Sequence, residues 1–207
     1  MSPLSKIIGL LQIDSTVGDL AGNAERLESL TAIAQANGAQ VAIATELAVC
    51  GYPPRDLLLQ PDFITTSFET AKNLAVEIPV LVGTPIPPDH ERNLPANGVV
   101  RAGVLQAVPN KDNTNRVVAK KQLLPSYDVF DETRYFTPAN RSGICRSIGE
   151  IDLGITICED AWQAAGLTPS AYGQDPVASL AEWGRQGVSL DATVNPVSYT
   201  HLTLPTR

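Results

Sequence analysis

The chain has 207 residues, of which 43% are hydrophobic and 18% are charged, an ordinary composition for one globular domain. Its formal net charge of −7 argues against a surface for nucleic acid or anionic membranes, because no basic cluster exceeds the pair Lys120 and Lys121. No apolar run approaches the length of a bilayer span, and the N-terminal residues lack a secretory signal pattern. We therefore expect a cytoplasmic protein that binds neither nucleic acid nor membranes.

Cysteine and histidine usage gives no sign of a disulfide framework or a zinc site. The three cysteines, Cys50, Cys145 and Cys158, are widely spaced, and the chain contains no CxxC motif and only two histidines. Both kinds of site need closely grouped or paired ligands. The sequence therefore predicts no bound metal.

Strands and helices alternate along the first half of the chain. Apolar runs of strand length predict strands at 6–13, 41–44 and 80–83. Apolar residues at helical spacing predict helices at 23–37, which stops before Gly38, and at 63–77. A proline-rich stretch after the third strand, 84–89, is predicted to be a loop.

The second half continues the α/β pattern with one long loop. The sequence predicts a hairpin over 98–108 that turns at Ala102 and Gly103, and then a strand at 116–121. Residues 123–140 have no clean period and predict a loop with one short helix. The remaining predicted elements are a strand near Ile144, a strand at 151–157 and a helix at 176–186. The strands are too apolar to be exposed on either face, which is typical of an α/β fold.

The segment 154–162 joins an apolar run to a group of reactive side chains. Cys158, Glu159 and Asp160 follow the end of a predicted strand. A cysteine at this place, with the next backbone N–H groups facing a bound carbonyl, suits a nucleophile with an oxyanion hole. The alternative is that Cys158 is a small buried residue without a chemical role, which is common for a lone cysteine.

Two further reactive side chains, Glu46 and Lys121, also stand at the ends of predicted strands. Open α/β sheets bind their ligands at strand ends. A carboxylate can take a thiol proton, a cation can stabilise developing negative charge, and a thiolate can attack an acyl carbon. Taken alone, each of the two is as well explained as a solvated surface residue.

Four segments carry a resemblance to a known family. They are TVGDL at 16–20, ELAVCGYPPRDLLL at 46–59, KQLLPSYDVFDETRYF at 121–136 and ICEDAW at 157–162. In this order they resemble the nitrilase (carbon–nitrogen hydrolase) superfamily, and most closely the glutaminase domain of glutamine-dependent NAD synthetases. The glutamate, lysine and cysteine are shared by the superfamily, whereas the tyrosine-containing strings are specific to that branch.

The resemblance implies an α-β-β-α sandwich that contains a Glu-Lys-Cys amidase. Glu46 would be the general base, Cys158 the nucleophile and Lys121 the partner of the oxyanion. Lys121 rather than Lys120 stands immediately before the Gln-x-Leu-Pro string, and neighbouring strand residues face opposite ways, so Lys120 is expected on the surface. L-Glutamine would be hydrolysed through a Cys158 thioester, and its ammonia would amidate deamido-NAD.

The same resemblance implies which side chains surround these three. Tyr127, six residues after Lys121, would contact glutamine, and Glu132 would support Lys121 from behind. Weaker candidates for substrate contact are Tyr52, Phe130, Glu159 and Trp162. For Phe130 and Trp162 the alternative is ordinary core packing, because large rings bury area wherever they lie.

The C-terminal residues 196–207 resemble the translation of a mosaic-end adapter used in transposon-based sequencing libraries. We therefore exclude them from the fold and assign 1–195 to a truncated glutaminase domain. In the family the chain continues past Asn195 into the rest of the sandwich and a synthetase domain, which alone would require ATP and Mg²⁺. No cofactor is expected in the segment itself. We expect a sandwich that is incomplete at its C-terminus, uncovered apolar sheet surface and no activity from this segment alone.

Two other functions remain open at this point. One is a stand-alone amidase or carbamoylase of the same superfamily that acts on another small amide. The other is a non-catalytic fragment that serves only in assembly, although such a module has no need of Glu46, Lys121 and Cys158 together. The resemblance also implies a homo-oligomer.

Overall fold

The fold is described from a computed structural model for residues 6–88, 101–109, 115–141, 143–148, 150–163 and 172–198. Its helices are α1 (Leu20–Ala36), α2 (Pro61–Lys72) and α3 (Pro176–Arg185). Its strands are β1 (Ile8–Leu11), β2 (Val41–Ala44), β3 (Val80–Ile86), β4 (Arg101–Ala107), β5 (Arg116–Lys120), β6 (Gly143–Ile148), β7 (Ile151–Ile155) and β8 (Ala192–Val194). Short 3₁₀ helices lie at Arg55–Leu59, Glu132–Arg134 and Cys158–Ala161.

The strands form two sheets. The first sheet has five strands in the order β1-β2-β3-β4-β5, and the second has three in the order β6-β7-β8. In the first sheet β1, β2 and β3 are parallel, while β4 is antiparallel to both β3 and β5. Because two antiparallel pairings separate β3 from β5, strands β2 and β5 point the same way. Their carboxyl ends therefore lie at the same edge of the sheet.

The alternation of side chains along β2 and β3 sets the order of the layers. Ala42, Ala44, Val80 and Val82 pack in one core with α1 and α2, through residues such as Leu27 and Phe68. Residues on the opposite face of the same strands pack in a second core with the second sheet, and these are Val41, Ile43, Leu81, Ile151, Leu153 and Ile155. On the far side of the second sheet, a Cβ on Gly154 would lie 3.3 Å from the α3 residue Leu180. The result is the expected α-β-β-α sandwich.

Local sequence signals explain where the helices begin and end. α1 begins three residues before its predicted start, because Asp19 caps it by accepting a hydrogen bond from the Gly22 N–H at 3.0 Å. α3 is capped in the same way by Asp175, and Pro176 occupies its first turn. α2 ends at Lys72, earlier than its periodicity predicts, with Asn73 as its C-terminal cap.

Two predictions about the first sheet are wrong. The predicted turn at Ala102 and Gly103 lies within strand β4, which pairs with β3 from Arg101 to Ala107. Gly103 is needed there for close packing, since a Cβ on it would lie 2.6 Å from Ile86 Cγ1 and 2.9 Å from the Ala119 carbonyl oxygen. Part of the predicted loop 84–89 is also strand, because β3 continues to Ile86.

One side of the sandwich is open. β1 and β8 are edge strands, and Leu10 on β1 is 76% exposed. Leu10, Ile43, Val194 and Val197 line a groove between the two edges. Within the described residues, these side chains form the lining of an open groove, although Ile43 itself is buried.

Candidate active site

Lys121 lies at the centre of a buried cluster of charged groups. It follows β5 directly, its N–H continues the ladder by donating to the Ala102 carbonyl at 2.9 Å, and its side chain has no exposed surface. Its Nζ lies 2.7 Å from Glu46 Oε1 and 2.6 Å from Glu132 Oε2. Because β2 and β5 end at the same edge, Glu46 and Lys121 meet although they are 75 residues apart in sequence.

The charges in this cluster depend on one another. Burial acts to lower the pKa of Lys121, but attraction to Glu46 and Glu132 outweighs it and holds the pKa well above its ordinary value. Burial raises the pKa of Glu132 to about 7, although Lys121 opposes this shift. Tyr52 donates a hydrogen bond to Glu132 Oε1 at 2.9 Å. The cluster thus holds one cation between two carboxylates. The second negative charge has no cation of its own, which favours protonation of Glu132.

The backbone after β2 is packed tightly enough to fix Glu46. Gly83 on β3 faces it, and a Cβ there would lie 2.4 Å from Leu47 N and 2.5 Å from the Thr45 carbonyl oxygen. Leu47 itself has a φ of 49°, a region that non-glycine residues seldom occupy. The second carboxylate oxygen of Glu46 accepts a hydrogen bond from Ser198 Oγ at 3.1 Å.

Cys158 is buried and lies on a strained turn at the end of β7. Its φ is 50°, and such a conformation costs about 1–3 kcal/mol in a non-glycine residue and is concentrated at functional sites. Its N–H donates to the Pro196 carbonyl at 2.9 Å, and Asn195 Nδ2 donates to its carbonyl at 3.2 Å. Negative charge at Cys158 adds to the rise in the Lys121 pKa, so the two side chains are electrostatic neighbours.

The turn that carries Cys158 opens the 3₁₀ helix Cys158–Ala161, and Glu159 is the second residue of this helix. The predicted strand 151–157 is shorter than expected, since β7 ends at Ile155. The turn that carries Cys158 is therefore separated from the strand by Thr156 and Ile157.

Glu159 forms a second, separate carboxylate site. Its side chain is fully buried and accepts hydrogen bonds from Tyr127 Oη at 2.8 Å and Tyr172 Oη at 3.3 Å. Burial and the neighbouring carboxylate raise the pKa of Tyr172 to about 12, and they raise the pKa of Tyr127 as well. Both phenols are therefore neutral and donate hydrogen bonds to the Glu159 carboxylate.

Aromatic rings connect the two carboxylate sites. The Phe130 ring centroid lies 5.6 Å from that of Tyr127, edge to face, and 6.4 Å from that of Tyr52. Trp162 is partly buried, and its backbone N–H donates to the Glu159 carbonyl at 2.9 Å. The structure thus brings Tyr52, Tyr127 and Phe130 to the site, and it places Trp162 at the end of the turn that carries Cys158.

Two of the surrounding residues were missed by the sequence predictions. Lys120, which we predicted on the surface, is partly exposed. Asp160 was not predicted at the site, yet its buried carboxylate accepts hydrogen bonds from Gln122, Leu123 and Ile157. Tyr172 was also missed, because nothing in the sequence connects it to Glu159.

The described part of the chain contains no group of three or more histidine, cysteine, aspartate or glutamate residues that could hold a metal ion. Among the helices described, none is long and apolar enough to cross a membrane. Ser198 and Pro196 contact the site although we excluded 196–207 from the fold, and 199–207 lie outside the described residues.

Curated proteins similar to this chain are glutamine-dependent NAD(+) synthetases. The one from Synechocystis is 35% identical over 198 residues, which cover 93% of this chain and 34% of the relative. The one from Thermotoga maritima is 31% identical over 172 residues, which cover 79% of this chain and 27% of the relative. The chain thus spans about a third of the length of these relatives. No family model matches the sequence.

Solved structures show the same fold in two groups of enzymes. The glutamine-dependent NAD+ synthetase from Acinetobacter baumannii has a TM-score of 0.66 at 23% identity, covering 91% of this chain and 32% of that protein. A nitrilase-superfamily amidase from Nesterenkonia has a TM-score of 0.61 at 18% identity, covering 92% of this chain and 64% of the amidase. The chain is thus similar in sequence to about a third of the length of the glutamine-dependent NAD(+) synthetases, and it shares its fold with both groups of enzymes.

Proposed function

We propose that this chain is part of a longer protein that hydrolyses the side-chain carboxamide of L-glutamine, with Cys158 as the nucleophile, Glu46 as the general base and Lys121 as a charge-stabilising donor. The observation that carries the proposal is the fully buried Lys121 Nζ, which lies 2.7 Å from Glu46 and is the electrostatic neighbour of Cys158. A base, a cation and a thiol together supply each group that acyl transfer needs.

In the proposed first half-reaction, Glu46 takes the thiol proton while the Cys158 sulfur attacks the carboxamide carbon. Lys121 and the Glu159 N–H stabilise the oxyanion that forms. Collapse of this intermediate breaks the carbon–nitrogen bond, and the nitrogen leaves as ammonia with the proton held by Glu46. A γ-glutamyl thioester on Cys158 remains.

In the second half-reaction, Glu46 takes a proton from water, and the resulting hydroxide attacks the thioester carbon. The carbon–sulfur bond breaks, glutamate is released, and the Cys158 thiol recovers its proton from Glu46. The strained φ of Cys158 supports this assignment, because strain of this kind is concentrated at functional sites. A structure of a mutant of the Nesterenkonia amidase shows covalent addition of the acetamide moiety of fluoroacetamide at its active-site cysteine, which supports a cysteine nucleophile in this fold.

Glu159 supports glutamine as the substrate. It is a buried carboxylate directly after the nucleophile, and its partners Tyr127 and Tyr172 are neutral donors. We propose that Glu159 and Tyr127 accept hydrogen bonds from the α-ammonium group of glutamine. Tyr52, Phe130 and Trp162 would enclose the methylene chain of glutamine. Glu132 would hold Lys121 in place without touching the substrate, as its 2.6 Å contact suggests.

The family also supports a role for the ammonia. In a longer protein of this family, a synthetase domain that uses ATP and Mg²⁺ would consume the ammonia to convert deamido-NAD to NAD. We propose that residues 1–195 are the truncated glutaminase domain of such a protein and that residues 196–207 derive from sequencing adapter. We also propose that the longer protein is cytoplasmic and homo-oligomeric. Long-read sequencing of the gene beyond the Asn195 codon tests this. A frame that encodes 196–207 and then stops would contradict it.

The function is tested by measuring glutamate release from glutamine by the protein expressed from the complete reading frame. We expect Cys158→Ala to abolish release. Cys50→Ala is the matched control, because Cys50 is also a buried free thiol but its pKa is raised by burial to about 12. Release that survives Cys158→Ala would refute the covalent route. Faster hydrolysis of acetamide or an N-carbamoyl compound than of glutamine would favour the stand-alone amidase.

A further inference from the structure

Asp160 joins the two halves of the site through backbone hydrogen bonds. Its Oδ1 accepts from the Leu123 N–H at 2.8 Å and the Gln122 N–H at 3.0 Å. Its Oδ2 accepts from the Ile157 N–H at 3.1 Å. Two of these donors directly follow Lys121, and the third directly precedes Cys158.

These contacts cross between the two sheets of the sandwich. Lys121 follows β5 of the five-stranded sheet, whereas Cys158 follows β7 of the three-stranded sheet. Asp160 is 1% exposed, so its carboxylate exchanges no hydrogen bonds with bulk water to replace those it makes. A shift of either sheet relative to the other would break at least one of the three bonds.

The chemistry of a carboxylate suits this role. An ionised carboxylate only accepts hydrogen bonds, and its two oxygens can serve three backbone donors at once. Burial raises the pKa of Asp160, while the backbone N–H groups and Lys121 oppose that rise. An amide of the same shape would present an NH₂ group to one of these donors, so asparagine cannot reproduce the set.

We propose that Asp160 is a positioning residue that sets the distance between the Lys121 ammonium and the Cys158 sulfur by binding the backbone on both sides. Asp160 touches neither the substrate nor the reacting atoms. The inference rests on the proposed function, in which Lys121 and Cys158 act on the same carbonyl group.

The test compares Asp160→Asn with wild type in the protein expressed from the complete reading frame. We expect kcat for glutamine hydrolysis to fall about 30-fold or more while KM changes less than about threefold, because the substrate contacts at Glu159 remain. The rate constant for alkylation of Cys158 by iodoacetamide should fall in parallel. Asp175→Asn is the matched control, since Asp175 also accepts a backbone N–H, from Ala178 at 2.9 Å, but at an exposed helix cap.

The alkylation measurement separates positioning from a merely structural role. A structural defect lowers the number of reactive sites found by titration, and the remaining sites keep the wild-type rate constant. A positioning defect lowers the rate constant at an unchanged number of sites. The alkylation comparison also stands if the wild-type protein fails to hydrolyse glutamine, so failure of the proposed function is distinguishable from failure of this inference.

A second variant keeps the inference falsifiable if Asp160→Asn does not fold. Replacement of Leu123 by its α-hydroxy acid removes only the N–H that lies 2.8 Å from Asp160 and leaves the other two bonds. We expect a smaller fall of about 3- to 10-fold in the alkylation rate constant. An unchanged rate constant in the folded ester variant, or a loss confined to the number of reactive sites in either variant, would overturn the inference.

Discussion

Replacement of Lys121 by methionine removes the cation between Glu46 and Glu132 while keeping an unbranched side chain of similar length. Both carboxylates are nearly fully buried, with side-chain exposures of 2% and 5%. Removal of one member of a buried ion pair costs about 3–5 kcal/mol, because the remaining charge is left without a partner. The variant therefore loses a large fraction of the total stability of a typical domain, about 5–15 kcal/mol.

The same replacement has a separate effect on catalysis. Loss of one oxyanion donor reduces kcat by about 10²–10³, which corresponds to about 3–4 kcal/mol of transition-state stabilisation. Thermal unfolding and glutamate release, measured on the same preparations below the unfolding temperature, separate the two effects. The control is Lys120→Met, which changes the neighbouring and partly buried lysine and should leave kcat close to wild type.

If Lys120→Met abolished glutamate release while Lys121→Met kept both its stability and its kcat, the assignment of the lysine would be wrong. A stable but inactive Lys121→Met variant would retain the catalytic role and contradict only the stability argument.

Two further predictions concern the groups that hold the site together. Because the pKa of Glu132 is raised from 4.5 to about 7, its contribution to stability is present below about pH 4.5 and is lost as the pH rises through 7. The free energy of unfolding of wild type, measured by chemical denaturation, should thus fall by up to about 3 kcal/mol relative to Glu132→Gln over this range; a constant difference would contradict the shifted pKa. Gly83→Ala should destabilise the protein by about 1–3 kcal/mol and reduce activity, because its Cβ would lie 2.4 Å from Leu47 N and displace the backbone of Glu46. Gly184→Ala is the control for melting and glutamate release, since apart from its chain neighbours and its own helix backbone no atom lies within 4 Å of the added Cβ. Equal effects of the two variants would refute the packing argument.

The parts of the fold that depend on local patterns could be predicted from the sequence. The strand at 41–44 has the predicted bounds, because four consecutive apolar residues are buried on both faces. The predicted hairpin turn at Ala102 and Gly103 is wrong. A glycine among apolar residues can mark either a turn or a strand position that is packed closely by another segment, and the sequence does not distinguish the two. Only the structure shows that Ile86 and Ala119 occupy the space beside Gly103.

In the site, too, contacts between distant segments could not be predicted from the sequence. Glu46, Lys121 and Cys158 could be picked out because they lie at strand ends within motifs that resemble those of a known family, although each alone is weak evidence. The Asp160 contacts with Gln122 and Leu123 bridge 38 and 37 residues, and neither partner uses a side chain, so no residue pattern marks them. The Tyr172 contact with Glu159 depends on how a distant segment packs and has no local signal.

The most direct measurement is a search for the acyl-enzyme on Cys158. The protein expressed from the complete reading frame is mixed with glutamine, quenched in acid during turnover and analysed by peptide mass mapping. We predict a γ-glutamyl group on the peptide that contains Cys158, none on the peptide that contains Cys50, and release of the group as a hydroxamate by hydroxylamine. Glutamate formation at the wild-type rate by a Cys158→Ala variant, with no adduct in wild type, would contradict the account.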